Sequence, residues 1–205
     1  MNTFLGVSGD INYQQINQDA LFNSELLYLE GYLSSSPAAL TVAVKAKQFA
    51  QQNNIKVALS LSDLNMVKFF KPEVNKIIGD GIDLLFCNYE EALLFSKKTT
   101  LEAAAQELLK ICKVLIITLG AEGALVLTQT DEIKILARQV NALDTTGAGD
   151  LFAGCFLHAF IKGLGLQKST ELATFASTQL VTQLGPRLTD KNLAEVKSIA
   201  DNLGA

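Results

Sequence analysis

The run from Val114 to Thr118, reading VLIIT, limits the fold more than any other segment. Along a strand, successive side chains point to opposite faces of the sheet. Here both faces would be apolar, and a strand of that kind belongs in a parallel sheet covered by helices. Shorter apolar runs at residues 3–7, 26–29, 57–61 and 82–87 read as further strands. Between them lie longer amphipathic stretches. Residues 37–53 carry Ala39, Val42, Ala43, Ala46 and Ala50 at helical spacing, and Pro37 suits a first helical turn. Residues 67–78 read as a helix broken at Pro72, and 89–95 and 101–111 as two shorter helices. Residues 124–128 and 133–137, separated by QTDE, read as a β-hairpin. Three helices follow, at 147–162, 169–183 and 190–203. The alternation predicts an α/β fold, a mainly parallel sheet with helices on both faces. Such sheets bind ligands beyond the carboxyl ends of their strands. The chemistry is therefore expected in the loops at 88–91, 120–123 and 144–150.

Composition agrees and removes other classes. Hydrophobic residues make up 49% and charged residues 19%, against about 25% charged in ordinary globular chains. That balance excludes disorder. At roughly 150 residues per domain, 205 residues predict a single α/β domain over 1–205. The net charge is −4, with no basic footprint for nucleic acid. Cys87, Cys112 and Cys155 form no CxxC, and His158 is the one histidine, so a Cys/His zinc site is excluded. The thiol usage predicts a reduced, cytoplasmic protein. The start, MNTFLGVSGDIN, does not read as a signal peptide. The most apolar helical stretch, 151–160, is too short for a bilayer, which needs about 20 residues, so no membrane partner is expected. His158 on that apolar helix reads as structural, and Cys112 and Cys155 as small core residues.

The sharpest local feature is DTTGAGD, Asp144 to Asp150, ahead of an apolar helix. A Gly-Ala-Gly turn at a helix start aims several backbone N–H groups at one point, and the helix dipole adds to them. The result suits an anion such as phosphate. Asp150, on the first turn, is placed to accept a proton from a substrate hydroxyl. A plain helix start with acidic residues complementing the dipole is the alternative. Asn88 and Glu91 in NYEE have the spacing of a capping box. ITLGAEGA, with Thr118, Gly120 and Gly123, also reads as an ordinary turn between strands. In SLSDLN, Asp63 or Asn65 reads best as a helix cap.

The segment DTTGAGDLFAGCFLHAF resembles the C-terminal signature of the ribokinase-like (PfkB) family of sugar and nucleoside kinases. The resemblance implies that Asp150 is the catalytic base and that Gly147, Ala148 and Gly149 form the anion hole. Asp144, Thr145 and Thr146 complete the nucleotide-side loop. Asn88 and Glu91 match the family's N-x-x-E motif, which helps to place magnesium and phosphate. Thr118, Gly120 and Gly123 match a T-x-G-x-x-G segment beside the nucleotide. Ser177 falls in the region lining the adenine pocket, where ribokinases often carry Asn. QLGPRL looks closer to bacterial adenosine-kinase-like members. The implied cofactors are ATP and Mg2+, with a monovalent cation as a further candidate. The implied partner is a sugar or nucleoside.

The matching motifs lie between Asn88 and Leu188, with a weaker match back to Thr3. Family members carry a further N-terminal stretch, holding an opening strand, a Gly-Gly signature, a sugar-binding carboxylate and a β-sheet lid. No counterpart is found here, so the chain resembles the C-terminal two-thirds of such a kinase. Two expectations follow. This chain binds nucleotide weakly and transfers phosphoryl groups poorly, and apolar surface meant for a missing neighbour makes it associate, as a homo-oligomer for example. A non-catalytic nucleotide-binding remnant is the second functional reading. A Rossmann dehydrogenase is disfavoured, since no GxGxxG follows a strand.

Overall fold

The computed structural model describes residues 6–204. Six strands form one sheet in the order β1-β2-β3-β4-β5-β6. They are β1 (Leu26–Glu30), β2 (Lys56–Ser60), β3 (Ile82–Asn88), β4 (Cys112–Thr118), β5 (Ala124–Leu127) and β6 (Glu132–Ile135). The chain divides into two compact units, Met1–Ile116 and Ile117–Ala205.

In the first unit β1 pairs parallel with β2, and β2 with β3. The crossovers are α2 (Pro37–Gln52) and α3 (Leu64–Ile78). Consecutive strands added in one direction with right-handed crossovers put both helices on one face, and α2 packs against α3. Pro37 opens α2, and the Ser36 hydroxyl caps it by accepting from Ala39 N–H. The α2 positions with helical spacing, Ala39, Val42, Ala43, Ala46 and Ala50, are all buried. Small side chains there let the helix lie close to the strands. In β2, Val57, Ala58 and Leu59 are fully buried, as are Leu115, Ile116 and Ile117 of β4. Each large side chain so placed contributes roughly 1.5–3 kcal/mol of transfer free energy.

α3 is kinked. Pro72 lacks the N–H for its helical bond and crowds the preceding turn. The non-helical residue is Phe70, two positions earlier than the expected break, with φ −125° and ψ 18°. α4 (Tyr89–Ser96) and α5 (Leu101–Leu108) complete this unit. α1 (Gln18–Phe22), capped by Asn17, was not expected from the sequence. Of the strand expected at 3–7, residues 3–5 lie outside the described residues, and Gly6 and Val7 belong to a 3-10 turn, Gly6–Gly9.

In the second unit β5 and β6 form the expected antiparallel hairpin, with Ala124 opposite Ile135. α7 (Gly165–Leu180) packs on both hairpin strands and against α6 (Ala148–Ile161) and α8 (Asp190–Gly204). Ala159, Leu172, Ala176 and Val196 form the core between these three helices. Half-buried Cys155 packs against it, and Cys112 is buried. His158 is exposed in the last turn of α6, so it is not a core histidine. Among the described residues no helix is long and apolar enough to cross a membrane.

Candidate active site

The second unit brings most of the expected nucleotide-side residues into one place. Gly147 is the N-cap of α6, with φ 78°. An added Cβ there would also stand 2.8 Å from Pro186 Cβ. Glycine is required twice over, by conformation and by space. Having no side chain, it leaves the first-turn N–H groups of α6 uncapped. Ala148 N–H turns back to the Thr145 carbonyl at 3.2 Å, and the Gly147 carbonyl is taken by Leu151 N–H at 2.9 Å. The N–H groups of Gly149 and Asp150 precede that first intrahelical bond, as at every helix start. With the dipole behind them they can receive a negative charge. Asp150 is exposed on this first turn.

A cavity of about 260 Å³ opens beside the helix start. Thr118, Gly120, Gly123, Thr145, Ala148, Gly149 and Ser177 all line it. Asp144, Thr146, Gly147 and Asp150 are not among its lining residues. Its volume falls a little below the range of small-molecule pockets, which run from about 300 Å³. One wall is the turn between β4 and β5. Gly120 and Gly123 have φ of 59° and 100°, and Leu119 N–H donates to the Gly123 carbonyl at 2.8 Å. A Cβ on Gly123 would stand 2.0 Å from the Ile135 carbonyl oxygen, so the turn lies directly on β6. The opposite wall is α7, whose Ser177 hydroxyl donates to the Ala148 carbonyl at 3.0 Å.

The sequence reading did not single out Arg138, Phe152 and Thr174, which also line the cavity. Thr174 is buried, and its hydroxyl has no hydrogen-bond partner among the described residues. A buried hydroxyl without a partner is unusual. Its only sequence signal is that it lies one helical turn before Ser177.

Asp144 stands just outside the cavity. One carboxylate oxygen accepts from Thr146 N–H and the other from Gly185 N–H, both at 2.9 Å. The Thr146 side chain and amide, then the Gly185 amide, hold its pKa below the ordinary carboxylate value.

In the first unit, Asn88 ends β3 and caps α4. Its side-chain oxygen accepts from Glu91 N–H at 2.8 Å. Glu91 answers by accepting from Asn88 N–H at 2.9 Å and from the Asn88 side-chain amide at 2.8 Å. This is the capping box that the spacing allowed. Glu91 is 4% exposed. Burial pushes its pKa up, the Asn88 N–H opposes this, and Asp63 and Glu90 push further upward. Asp63 caps α3, accepting from Met66 N–H at 2.9 Å and from the Tyr32 hydroxyl at 3.1 Å. Asn65 is exposed.

Among the described residues no group of three or more His, Cys, Asp or Glu side chains could hold a metal ion. A closed protein cage for a cation therefore does not fit these residues. Mg2+ commonly keeps several waters and takes only one or two carboxylates, with substrate phosphates supplying the rest. The donor set here is compatible with that mode alone.

The sequence pattern of the pfkB family carbohydrate kinases matches residues 1–192. This chain belongs to that family. Among its pfkB-family relatives, adenosine kinase of Saccharomyces cerevisiae is 28% identical over 194 residues, covering 87% of this chain and 56% of that protein. Ribokinase of Mus musculus is 32% identical over 168 residues, 72% of this chain and 52% of that protein. The crystal structure of adenosine kinase from Sinorhizobium meliloti superposes with a TM-score of 0.87 at 28% identity, covering 93% of this chain and 59% of that one. The pfkB chain described here thus spans little more than half the length of these relatives.

Proposed function

We propose that this chain supplies the nucleotide-binding and phosphoryl-transferring part of an ATP-dependent kinase for a sugar or nucleoside hydroxyl. The observation that carries the reading is the joint one at α6: a cavity of about 260 Å³ continuous with an uncapped helix start. A nucleoside occupying the cavity can direct its phosphates to the 147–149 amides. The unpartnered Thr174 hydroxyl supports a polar ligand there. Family membership supports phosphotransfer as the reaction class.

In this reading Asp150 takes the proton from the acceptor hydroxyl as its oxygen attacks the terminal phosphoryl group. The turn of Gly147, Ala148 and Gly149 is the proposed anion hole, and the N–H groups at its end, of Gly149 and Asp150, are free to face the charge that spreads over the phosphoryl oxygens. Asn88 and Glu91, in the first unit, are the residues proposed to help hold Mg2+, through water. When bound, the ion would supply charge neutralisation to nucleotide phosphates. Adenosine-like acceptors are favoured over ribose or fructose by the QLGPRL stretch. A monovalent cation and self-association remain part of the proposal.

The test is a titration with ATP and Mg2+ followed by an acceptor panel of nucleosides and sugars, with the release of ADP as readout. The reading expects ATP to bind, and any acceptor-dependent ADP release to vanish in Asp150→Asn while binding is retained. Release undiminished in Asp150→Asn would remove Asp150 from the chemistry. Binding without transfer to any acceptor would favour the nucleotide-binding remnant, since about half of each relative's length has no counterpart here.

A further inference from the structure

We infer that Asp144 is a positioning residue that clamps the 185–187 turn onto the phosphate-binding loop, so that the loop's amides are aimed by a segment outside the cavity. The inference rests on the nucleotide reading above. Four observations converge on it, all within the second unit.

The carboxylate spans two segments that lie 41 residues apart, with one oxygen on Thr146 N–H and the other on Gly185 N–H. The backbone repeats the link. Leu143 N–H donates to the Val181 carbonyl at 2.7 Å, and Asp144 N–H to the same oxygen at 3.4 Å. Independently, Pro186 fills the space where a Gly147 side chain would stand. The turn is also stapled internally. Gln183 donates to the Arg187 carbonyl. Its own side-chain oxygen accepts from Thr189 N–H at 3.1 Å and from the Asn192 amide at 2.9 Å. The 185–187 turn is thus a braced piece, and the Asp144 side chain bonds it to the loop entering α6.

The chemistry requires a carboxylate. An ionised carboxylate accepts on both oxygens, whereas an amide accepts on one and donates from the other. Asp144→Asn is nearly isosteric yet sets two donors against each other at one end of the clamp. The loop would then lose one anchor while the cavity walls keep theirs, namely Ser177 on Ala148 and the Gly120 and Gly123 turn. Small displacements of groups that must point at one charge are costly to function. The consequence is selective. Ligands with phosphates lose affinity, and ligands held by the cavity alone do not.

The experiment compares wild-type, Asp144→Asn and Asp144→Ala chains in titrations with ATP and Mg2+ and, separately, with adenosine. The expected result is ATP binding weakened about tenfold or more in both variants, with adenosine affinity within about twofold. Amide exchange at Gly185 is expected to quicken in both variants. In the wild type it should slow when ATP binds but not when adenosine binds, which is readable even if a variant fails to fold. Equal losses for ATP and adenosine would mean a general structural role and would overturn the inference. So would unchanged ATP affinity in both variants when the wild type binds ATP, and that outcome leaves the nucleotide reading standing. A wild type that binds no ATP sinks the nucleotide reading and the positioning role with it.

Discussion

Ser177 donates its hydroxyl proton to the Ala148 carbonyl at 3.0 Å, which fastens the last turn of α7 to the first residue of α6. The bond joins a residue of the cavity wall to the start of the helix that would receive the phosphates. Ser177→Ala removes the donor and leaves a half-buried carbonyl without it. Such a bond is worth about 1 kcal/mol, or about 2–4 °C in melting temperature for a chain of this size. ATP affinity should fall with it. Thermal melts with and without ATP check both parts, and an unchanged melting temperature would show that the bond does not hold the helix start.

Gly123 is the position least tolerant of a side chain. Its φ of 100° and the 2.0 Å approach of the Ile135 carbonyl oxygen to an added Cβ act together. Gly123→Ala must open the β5–β6 hairpin or break the turn. The expected loss is about 3 kcal/mol or more, since strain and overpacking add. Gly120→Ala is the control, because its added Cβ meets nothing within 4 Å and only the conformational cost remains. Urea unfolding of the two variants should rank them in that order.

Glu91 gives a pH dependence with a defined sign. Burial is the largest cause that raises its pKa above the ordinary 4.5. The folded chain therefore holds this proton more tightly than the unfolded chain does. The resulting stability is fully present below the unfolded pKa and is lost as pH rises through the folded one. Glu91→Gln cannot titrate. The stability of wild type minus that of Glu91→Gln should fall as pH is raised above 4.5. Urea midpoints across that range measure it, and a difference that grows with pH would contradict the assignment.

Asp150 is exposed, so Asp150→Asn should alter stability by no more than about 0.5 kcal/mol. ATP should still bind. Any phosphoryl transfer should drop by about 10² to 10⁴, the usual worth of a positioned general base. Rates and affinities measured on one preparation separate these effects.

The backbone plan was legible wherever one residue type had one physical meaning. VLIIT is the clearest case, and β4 buries Leu115, Ile116 and Ile117 completely. Asn88 with Glu91 announced the start of α4, because a capping box is a local structure. Less was legible where tertiary packing decides. α1 arises in a polar Asn- and Gln-rich stretch with no apolar period. α7 starts at Gly165 rather than Ser169, as Leu164 packs on the core shared with Leu172 and Val196. His158 sits on an apolar helix yet faces outward, since α6 buries Phe152, Phe156 and Ala159 along another face. The motif residues were legible at the site, but the cavity was not. It joins the 118–123 turn, Arg138 and Thr174, and no local pattern announces that meeting.

The central claim is that nucleotide occupies the cavity beside α6 with its phosphates on the 147–149 amides. Residue-resolved amide exchange of the 205-residue chain, with and without ATP and Mg2+, tests it most directly. The account predicts slowed exchange at Gly120, Gly123, Gly149 and Ser177, and for adenosine alone at the same positions except Gly149. No slowing at saturating ATP, or slowing confined to residues away from this cavity, would contradict it.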